Sequence, residues 1–167
     1  MAINLGDWIE VIGFEPGFEH SYYKGEVVGD HEGIFTIQYA ELTEIEDGPL
    51  IREEIQADHV RPYPVDADIS VPLDDHNFQR GDVVDVWYKD GWWDGVIHDV
   101  FYNMLNQKRY KVFFDYMRKK QRYGDYPPNK VRPHQDWLLI NNERVWVSPP
   151  RVKIEEEVEI TGVRRWR

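Results

Sequence analysis

The feature that most constrains this chain of 167 residues is that its sequence is written twice. The block Leu5-Gly6-Asp7-Trp8-Ile9-Glu10-Val11-Ile12 is answered by Arg80-Gly81-Asp82-Val83-Val84-Asp85-Val86-Trp87. Both read Gly-Asp, a variable residue, an apolar residue, an acid and Val. Tyr22-Tyr23-Lys24-Gly25-Glu26-Val27-Val28 is answered by Trp92-Trp93-Asp94-Gly95-Val96-Ile97, and Phe35-Thr36-Ile37-Gln38-Tyr39 by Tyr110-Lys111-Val112-Phe113-Phe114. Each copy closes on Val-Arg-Pro, at Val60-Arg61-Pro62 and Val131-Arg132-Pro133. The blocks keep their order at offsets of 75, 70, 75 and 71 residues. A repeat of this kind means that one fold must serve both copies.

Each copy is built from short β-branched and aromatic runs separated by Gly, Pro and Asp turns such as Glu15-Pro16-Gly17, Asp47-Gly48-Pro49 and Lys89-Asp90-Gly91. The best helical stretch, residues 41–58, is broken by Gly48-Pro49. The expected fold is therefore all-β, two tandem small antiparallel barrels, each of four or five strands. A core of about 60 residues is marginal alone, so the two barrels are expected to pack together. The expected boundaries are 3–64 for the first domain, 65–78 for a Pro- and Asp-rich linker, 79–148 for the second domain and 149–167 for a C-terminal extension. In that extension Val152, Ile154, Val158 and Ile160 permit a strand. Trp8, Phe35, Trp137 and Trp146 are expected to pack in the core or an interface.

Charge divides along the same boundary. Residues 1–79 carry 18 acidic side chains against three basic ones (Lys24, Arg52 and Arg61), a net −15, whereas residues 80–167 carry a net +4. The acidic half calls for a basic partner. Several reaction classes find no residues to carry them. The chain has no cysteine, which excludes disulfides, zinc–thiolate sites and thiol catalysis. None of its three serines (Ser21, Ser70 and Ser148) stands in Gly-x-Ser-x-Gly, no Gly-rich phosphate loop occurs, and its six histidines lack metal-ligand spacing. The expectation is a binding protein, not an enzyme, with no catalytic residue, metal or cofactor. With no apolar run near the ~18 residues of a membrane span and no leader in Met1–Asp7, no membrane partner is expected and the protein is read as soluble and intracellular.

Taken in order and in duplicate, these motifs resemble the Agenet domain, the plant branch of the Tudor-like "royal" family. The family pattern has Gly-Asp-x-Val-Glu-Val on the first strand, an aromatic pair before a small residue (here Gly25 and Gly95) on the second, a Tyr-x-Val-x-Tyr/Phe strand, and then Leu/Val-Arg-Pro. The stretch Asp125-Tyr126-Pro127-Pro128-Asn129-Lys130-Val131-Arg132-Pro133-His134-Gln135-Asp136-Trp137 resembles the end of the second Agenet of plant tandem pairs. The resemblance covers about residues 3–148 and implies a nuclear chromatin reader of methylated lysine. The preferred mark is the heterochromatic methyl-lysine of the histone-three tail, which some plant tandem-Agenet proteins read while sensing an unmodified lysine nearer the tail's N-terminus.

A methylated ammonium keeps its charge but loses donors and hydration, so aromatic faces can surround it, each contributing roughly 0.5–2 kcal/mol. A rim carboxylate bonds the N–H that mono- and dimethyl forms retain. The Tudor pattern draws cage walls from the end of strand one, the start of strand two and the end of strand three. In copy one these places hold Phe14, Phe18, Tyr22 or Tyr23, and Tyr39; in copy two they hold Tyr88, Trp93 and Phe114, followed by Asp115 and Tyr116. Copy two has the fuller aromatic set and copy one the attracting charge. Copy one is preferred, with Glu15, Glu44, Glu46, Asp47, Glu53 and Glu54 as acidic contacts for the tail. The alternative is a nucleic-acid-binding Tudor-like module using Arg118, Lys119, Lys120 and Arg122 on phosphates. An assembly scaffold without a ligand is a third class.

Overall fold

The computed structural model describes residues 2–64 and 72–154. The chain divides into two compact units, Met1–Ala67 with Trp87–Trp93, and Asp68–Val86 with Asp94–Arg167. No helix among the described residues is long and apolar enough to cross a membrane.

The first unit is a run of antiparallel strands: β1 (Trp8–Ile12), β2 (Ser21–His31), β3 (Ile34–Thr43), β4 (Leu50–Gln56) and, after one 3-10 turn, β5 (Val60–Pro62). β2 pairs with β1 and β3, β4 with β3, and β5 returns to β1. The second copy repeats this with β6 (Val83–Tyr88), β7 (Gly91–Tyr102), β8 (Lys108–Phe113), β9 (Tyr123–Tyr126) and β10 (Val131–Pro133), and adds a separate hairpin of β11 (Asp136–Ile140) and β12 (Glu143–Val147). Alternation decides which faces are inside. Ile9, Val11, Val27, Ile37, Ile55 and Val60 fill the first core; Val84, Val86, Ile97, Tyr110, Val112 and Val131 fill the second. Trp8 precedes Ile9 and so points outward, 48% exposed, which corrects its expected place in the core. Its indole instead faces the Lys24 ammonium, 4.9 Å from the ring centre. Trp137 and Trp146 are directly opposite on the β11–β12 hairpin, with ring centres 4.9 Å apart.

The sheets bend strongly without closing. Register breaks between Val27 and Gly29 in the first copy and between Ile97 and Asp99 in the second, two bulges that increase local bend and twist. Among the described residues no pairing joins β4 to β5. β5 is three residues long and ends on Pro62, which has no amide to extend a ladder. The expected small barrels are thus realised as open, bulged sheets, not complete barrels.

The duplicated Gly-Asp blocks make the same turn twice. Gly6 and Gly81 sit at φ of 89° and 93°, a left-handed conformation that favours glycine. Their amides donate to the Val27 and Ile97 carbonyls, both at 2.8 Å. The following Asp7 and Asp82 carboxylates accept from the amides of Asn4 and Gln79, both at 2.8 Å.

The acid of the first strand and the Arg of Val-Arg-Pro are also one device. Glu10 faces Arg61 across β1–β5, and Asp85 faces Arg132 across β6–β10. Glu10 Oε1 accepts from Arg61 Nε at 3.0 Å and from its terminal nitrogen at 2.8 Å, with both side chains buried. The Tyr22 ring covers the guanidinium, 3.7 Å from its centre. In the second copy the carboxylate is one methylene shorter. Asp85 takes Arg132 Nε at 2.9 Å on one oxygen and His134 Nδ1 at 2.6 Å on the other, while His134 Nε2 reaches Asp136 at 2.9 Å.

Sequence boundaries shift slightly. Phe78, within the expected linker, is buried against Tyr110, and Asp75 bonds Lys108 at 2.7 Å and the Tyr110 hydroxyl. Residues 65–71 of that linker lie outside the described residues. Val152 and Ile154 are not in a strand, and the rest of the expected C-terminal strand lies outside the described residues. Val152 donates to the Gly81 carbonyl at 2.7 Å.

Removing one member of a buried ion pair strands the other, at a cost of about 3–5 kcal/mol. Arg61→Met is expected to cost about that much in urea unfolding, whereas Glu10→Leu combined with Arg61→Met recovers most of the loss. An equal loss in single and double variants would refute this role for the pair. His134 adds a pH dependence. Burial alone would lower its pKa, but the hydrogen bond and charge of Asp85, then those of Asp136, push it up to about 9. The folded chain holds this proton more tightly than the unfolded chain, where the pKa is about 6.5. The stability it contributes is complete below about pH 6.5 and is lost as pH rises through about 9. Thermal midpoints should fall across that window, and His134→Asn should flatten the fall.

Candidate functional site

The first unit contains a cavity of ≈ 260 Å³ lined by Phe14, Phe18, Tyr23 and Tyr39, with Glu15 and Glu53 at its edge and Val11, Leu42 and Ile51 completing the apolar wall. Strand pairing builds its floor. Val11 stands opposite Tyr23, and Gly25 opposite Tyr39. Tyr23 and Gly25 share a face of β2, so the Tyr39 ring comes beside that of Tyr23. Their centres are 6.4 Å apart with the rings nearly perpendicular, 86°. Tyr23 and Tyr39 are buried, while Phe14 and Phe18, on the β1–β2 loop, form a half-exposed rim. Phe18 lies 6.3 Å from Tyr23, and Phe14 stacks on His59 at 4.4 Å.

The loop carrying that rim is folded tightly on itself. Gly13 donates to the Ser21 carbonyl at 2.8 Å, and the Ser21 hydroxyl donates to the Phe18 carbonyl at 2.6 Å. A Cβ on Gly13 would stand 1.6 Å from the Phe18 carbonyl oxygen, so only glycine allows this closure.

The Tyr39 hydroxyl donates to Glu53 Oε2 at 2.7 Å. Burial first, then the bond to Glu53 and the charges of Glu53 and Glu15, hold the Tyr39 phenol far above the ordinary tyrosine range. Burial, then the charge of Asp90, raises Tyr23 as well. Both phenols therefore stay neutral donors at physiological pH. Aromatic faces and acceptor-only carboxylates meeting in one apolar cavity suit a weakly hydrated cation.

The other expected residues are placed differently. Tyr22 is not in the cavity; its neighbour Tyr23 takes that face, and alternation turns Tyr22 onto Arg61. Glu44, Glu46 and Asp47 lie exposed in the β3–β4 turn, and Glu54 is on the face of β4 opposite Glu53. The five residues of the copy-two alternative divide between the two units. Trp93 and Tyr88 belong to the first unit, where the Trp93 indole N–H donates to the Tyr88 carbonyl at 3.0 Å and its ring packs 6.4 Å from Tyr23 and 6.1 Å from Phe18. Phe114 is buried in the second unit, edge-on to Tyr116 and Tyr126. Asp115 is exposed, and the Tyr116 hydroxyl is turned onto the Asp94 carbonyl at 2.6 Å. Burial, followed by the charges of Asp94, Asp85 and Asp115, raises the Tyr116 pKa. Arg118, Lys119, Lys120 and Arg122 lie exposed on the loop before β9, with Arg122 Nε donating to the Met117 carbonyl at 3.1 Å.

Sequence reasoning missed Leu42 and Ile51, which flank the β3–β4 turn. Their signal was apolar character on both sides of a polar turn. It also missed Trp93 as the buttress of Tyr23 and Phe18.

Residues 6–65 match the family model of the Agenet domain. The first copy is an Agenet domain. Over 87% of its length the chain is similar to solved tandem Agenet pairs. They include the Arabidopsis thaliana AGDP1 AGD34 structure (TM-score 0.67, 28% identity, 87% of this chain and 88% of that one) and the ADCP1 tandem Agenet domain 3-4 structure (TM-score 0.63, 27% identity, 87% of each). Among curated proteins it is 30% identical over 139 residues to the Arabidopsis thaliana "AGENET DOMAIN (AGD)-CONTAINING P1", covering 82% of this chain and 24% of that protein. It is 29% identical over 169 residues to the Arabidopsis thaliana DUF724 domain-containing protein 6, covering 96% and 21%. The chain thus spans about a quarter of the length of the curated relatives it matches. Its fold is that of a tandem Agenet pair, the Tudor-like architecture of chromatin readers.

The Agenet rim depends on Gly13. Gly13→Ala is expected to cost about 1–3 kcal/mol by overpacking the added Cβ against the Phe18 carbonyl and to spread the Phe14–Phe18 loop. Gly17→Ala, with a φ of 88° but open space around its Cβ position, should cost less. Urea denaturation of the two variants checks the ranking.

Proposed function

We propose that this tandem Agenet chain is a chromatin reader that binds a methylated lysine of a histone tail in the first-copy cavity and performs no chemistry on it. The observation that carries the reading is the convergence of Phe14, Phe18, Tyr23 and Tyr39 with Glu15 and Glu53 around ≈ 260 Å³. That volume is below the roughly 300–1,000 Å³ of sites for drug-sized ligands, and it suits the end of one side chain. The preferred ligand is the heterochromatic methyl-lysine of histone three, and the site of action is the nucleus.

The roles divide by chemistry. The buried Tyr23 and Tyr39 form the back of the cage, while Phe14 and Phe18 close over the methyl groups. Glu53, already accepting from Tyr39, retains lone pairs for the N–H of a mono- or dimethyl ammonium. Trimethyl-lysine offers no such proton, so lower methylation states are favoured. Glu44, Glu46 and Asp47 on the neighbouring exposed turn give basic residues of the tail a field of matching sign.

Calorimetric titration with histone-three peptides carrying unmodified, mono-, di- and trimethyl-lysine tests the reading. Methylation should tighten binding. Tyr23→Ala and Tyr39→Ala should each remove about 0.5–2 kcal/mol, or about 2- to 30-fold in Kd, whereas Tyr116→Phe leaves affinity unchanged. Glu53→Gln should erase the preference for dimethyl over trimethyl. Equal affinity for methylated and unmethylated peptides sinks the proposal.

A further inference from the structure

We propose that Ser148 is an acceptor site for a proline-directed serine/threonine kinase, and that its phosphate draws Arg151 away from Asp82. The sequence Ser148-Pro149-Pro150-Arg151 places a proline immediately after the acceptor and a cation three residues after it. Proline-directed kinases receive the ring of the following residue in an apolar pocket, where an ordinary amide would lose its hydrogen bond. Proline also biases the preceding residue toward extended backbone, the conformation in which a kinase cleft holds its substrate. The basic residue at the third position answers acidic groups in such clefts.

The local structure suits this chemistry. Ser148 is exposed and follows β12, which ends at Val147; residues 148–154 are in no regular element. β11 and β12 form a sheet of two strands whose last pair is Asp136–Val147, so Ser148 lies just beyond the ladder. Arg151 is half-exposed and pairs with Asp82, with Nε to Oδ1 at 2.7 Å. Ser21 makes the contrast, since it is wholly buried with its hydroxyl on the Phe18 carbonyl.

In the transfer, Ser148 Oγ attacks the γ-phosphorus of ATP and a new O–P bond forms. The bond between that phosphorus and the β–γ bridging oxygen breaks, ADP leaves, and the hydroxyl proton passes to the kinase's catalytic carboxylate. The product carries nearly two negative charges and three strong acceptors, three residues from a guanidinium. A phosphate dianion accepts that fork bidentately and outcompetes the single carboxylate of Asp82, which retains the Gln79 amide at 2.8 Å. The segment held by the Val152–Gly81 hydrogen bond at 2.7 Å then loosens.

The full chain incubated with ATP and a purified proline-directed kinase, followed by mass-spectrometric site mapping, provides the test. The expected result is one phosphate on Ser148, absent in Ser148→Ala and largely lost in Pro149→Ala. Amide exchange at Val152 should be faster in the phosphorylated chain. An unmodified Ser148 while a control peptide is consumed, or a Pro149→Ala chain modified at the wild-type rate, overturns the site. Unchanged exchange at Val152 in fully phosphorylated protein overturns the transfer of Arg151. These readouts use no histone peptide, so they stand apart from the proposed reader function.

Discussion

In each copy a buried carboxylate on the first strand meets a buried guanidinium on the last, 51 residues away in Glu10–Arg61 and 47 in Asp85–Arg132. Attraction within such a pair is largely offset by the loss of hydration, so its main effect here is on arrangement. A one-residue slip of β5 against β1 would turn Arg61 to the other face and leave Glu10 buried without its partner. The pair therefore fixes the register that returns the end of each copy to its beginning. The two copies satisfy the same requirement with different atoms. Glu10 reaches the guanidinium by itself, whereas the shorter Asp85 leaves an oxygen that His134 fills, which raises the His134 pKa.

With β1 fixed, the first-copy cavity follows from pairing. Val11 opposite Tyr23 and Gly25 opposite Tyr39 set the two phenols side by side. Gly25 is required there, because a Cβ would come within 2.5 Å of Ile37. The loop after β1 then folds back through Gly13 and Ser21, which sets Phe14 and Phe18 at the mouth. The site is thus a consequence of register plus one tight loop.

The sequence made much of this legible. The repeat located the equivalent strands, and turn residues located their ends. Of the residues the Tudor-like pattern nominates in copy one, Phe14, Phe18, Tyr23 and Tyr39 line the cavity, and of the acidic contacts nominated by charge, Glu15 and Glu53 do. What it left open are questions of face and partner. Tyr22 and Tyr23 are equivalent in composition, and only the register of β2 assigns one to Arg61 and the other to the cavity. Glu53 and Glu54 divide in the same way on β4. The acid and the Arg of the repeated motifs were visible as recurring letters, but their pairing joins residues far apart in sequence, which local periodicity does not report. Trp8 is aromatic yet faces outward, because the alternation that buried Ile9 and Val11 impose on β1 outweighs aromatic character.

The same frame has been finished differently at its two rims. In the first copy the aromatic within the third strand, Tyr39, spends its hydroxyl on a carboxylate and leaves its ring face to a cavity. In the second the matching residue is Phe114, packed edge-on against Tyr116, and Tyr116 turns its hydroxyl onto a backbone carbonyl. The charge division has the same sense, with a net −15 in the half that holds the cavity. Screening over about 8–10 Å in physiological salt confines the influence of most of those carboxylates to steering an approaching cation. Glu15 and Glu53 differ because they stand at the apolar wall itself, where the effective dielectric is lower and an opposite charge is felt more strongly. On the proposed reading, the acidity of the first half brings a tail to the surface, and two carboxylates beside four aromatic rings select what enters.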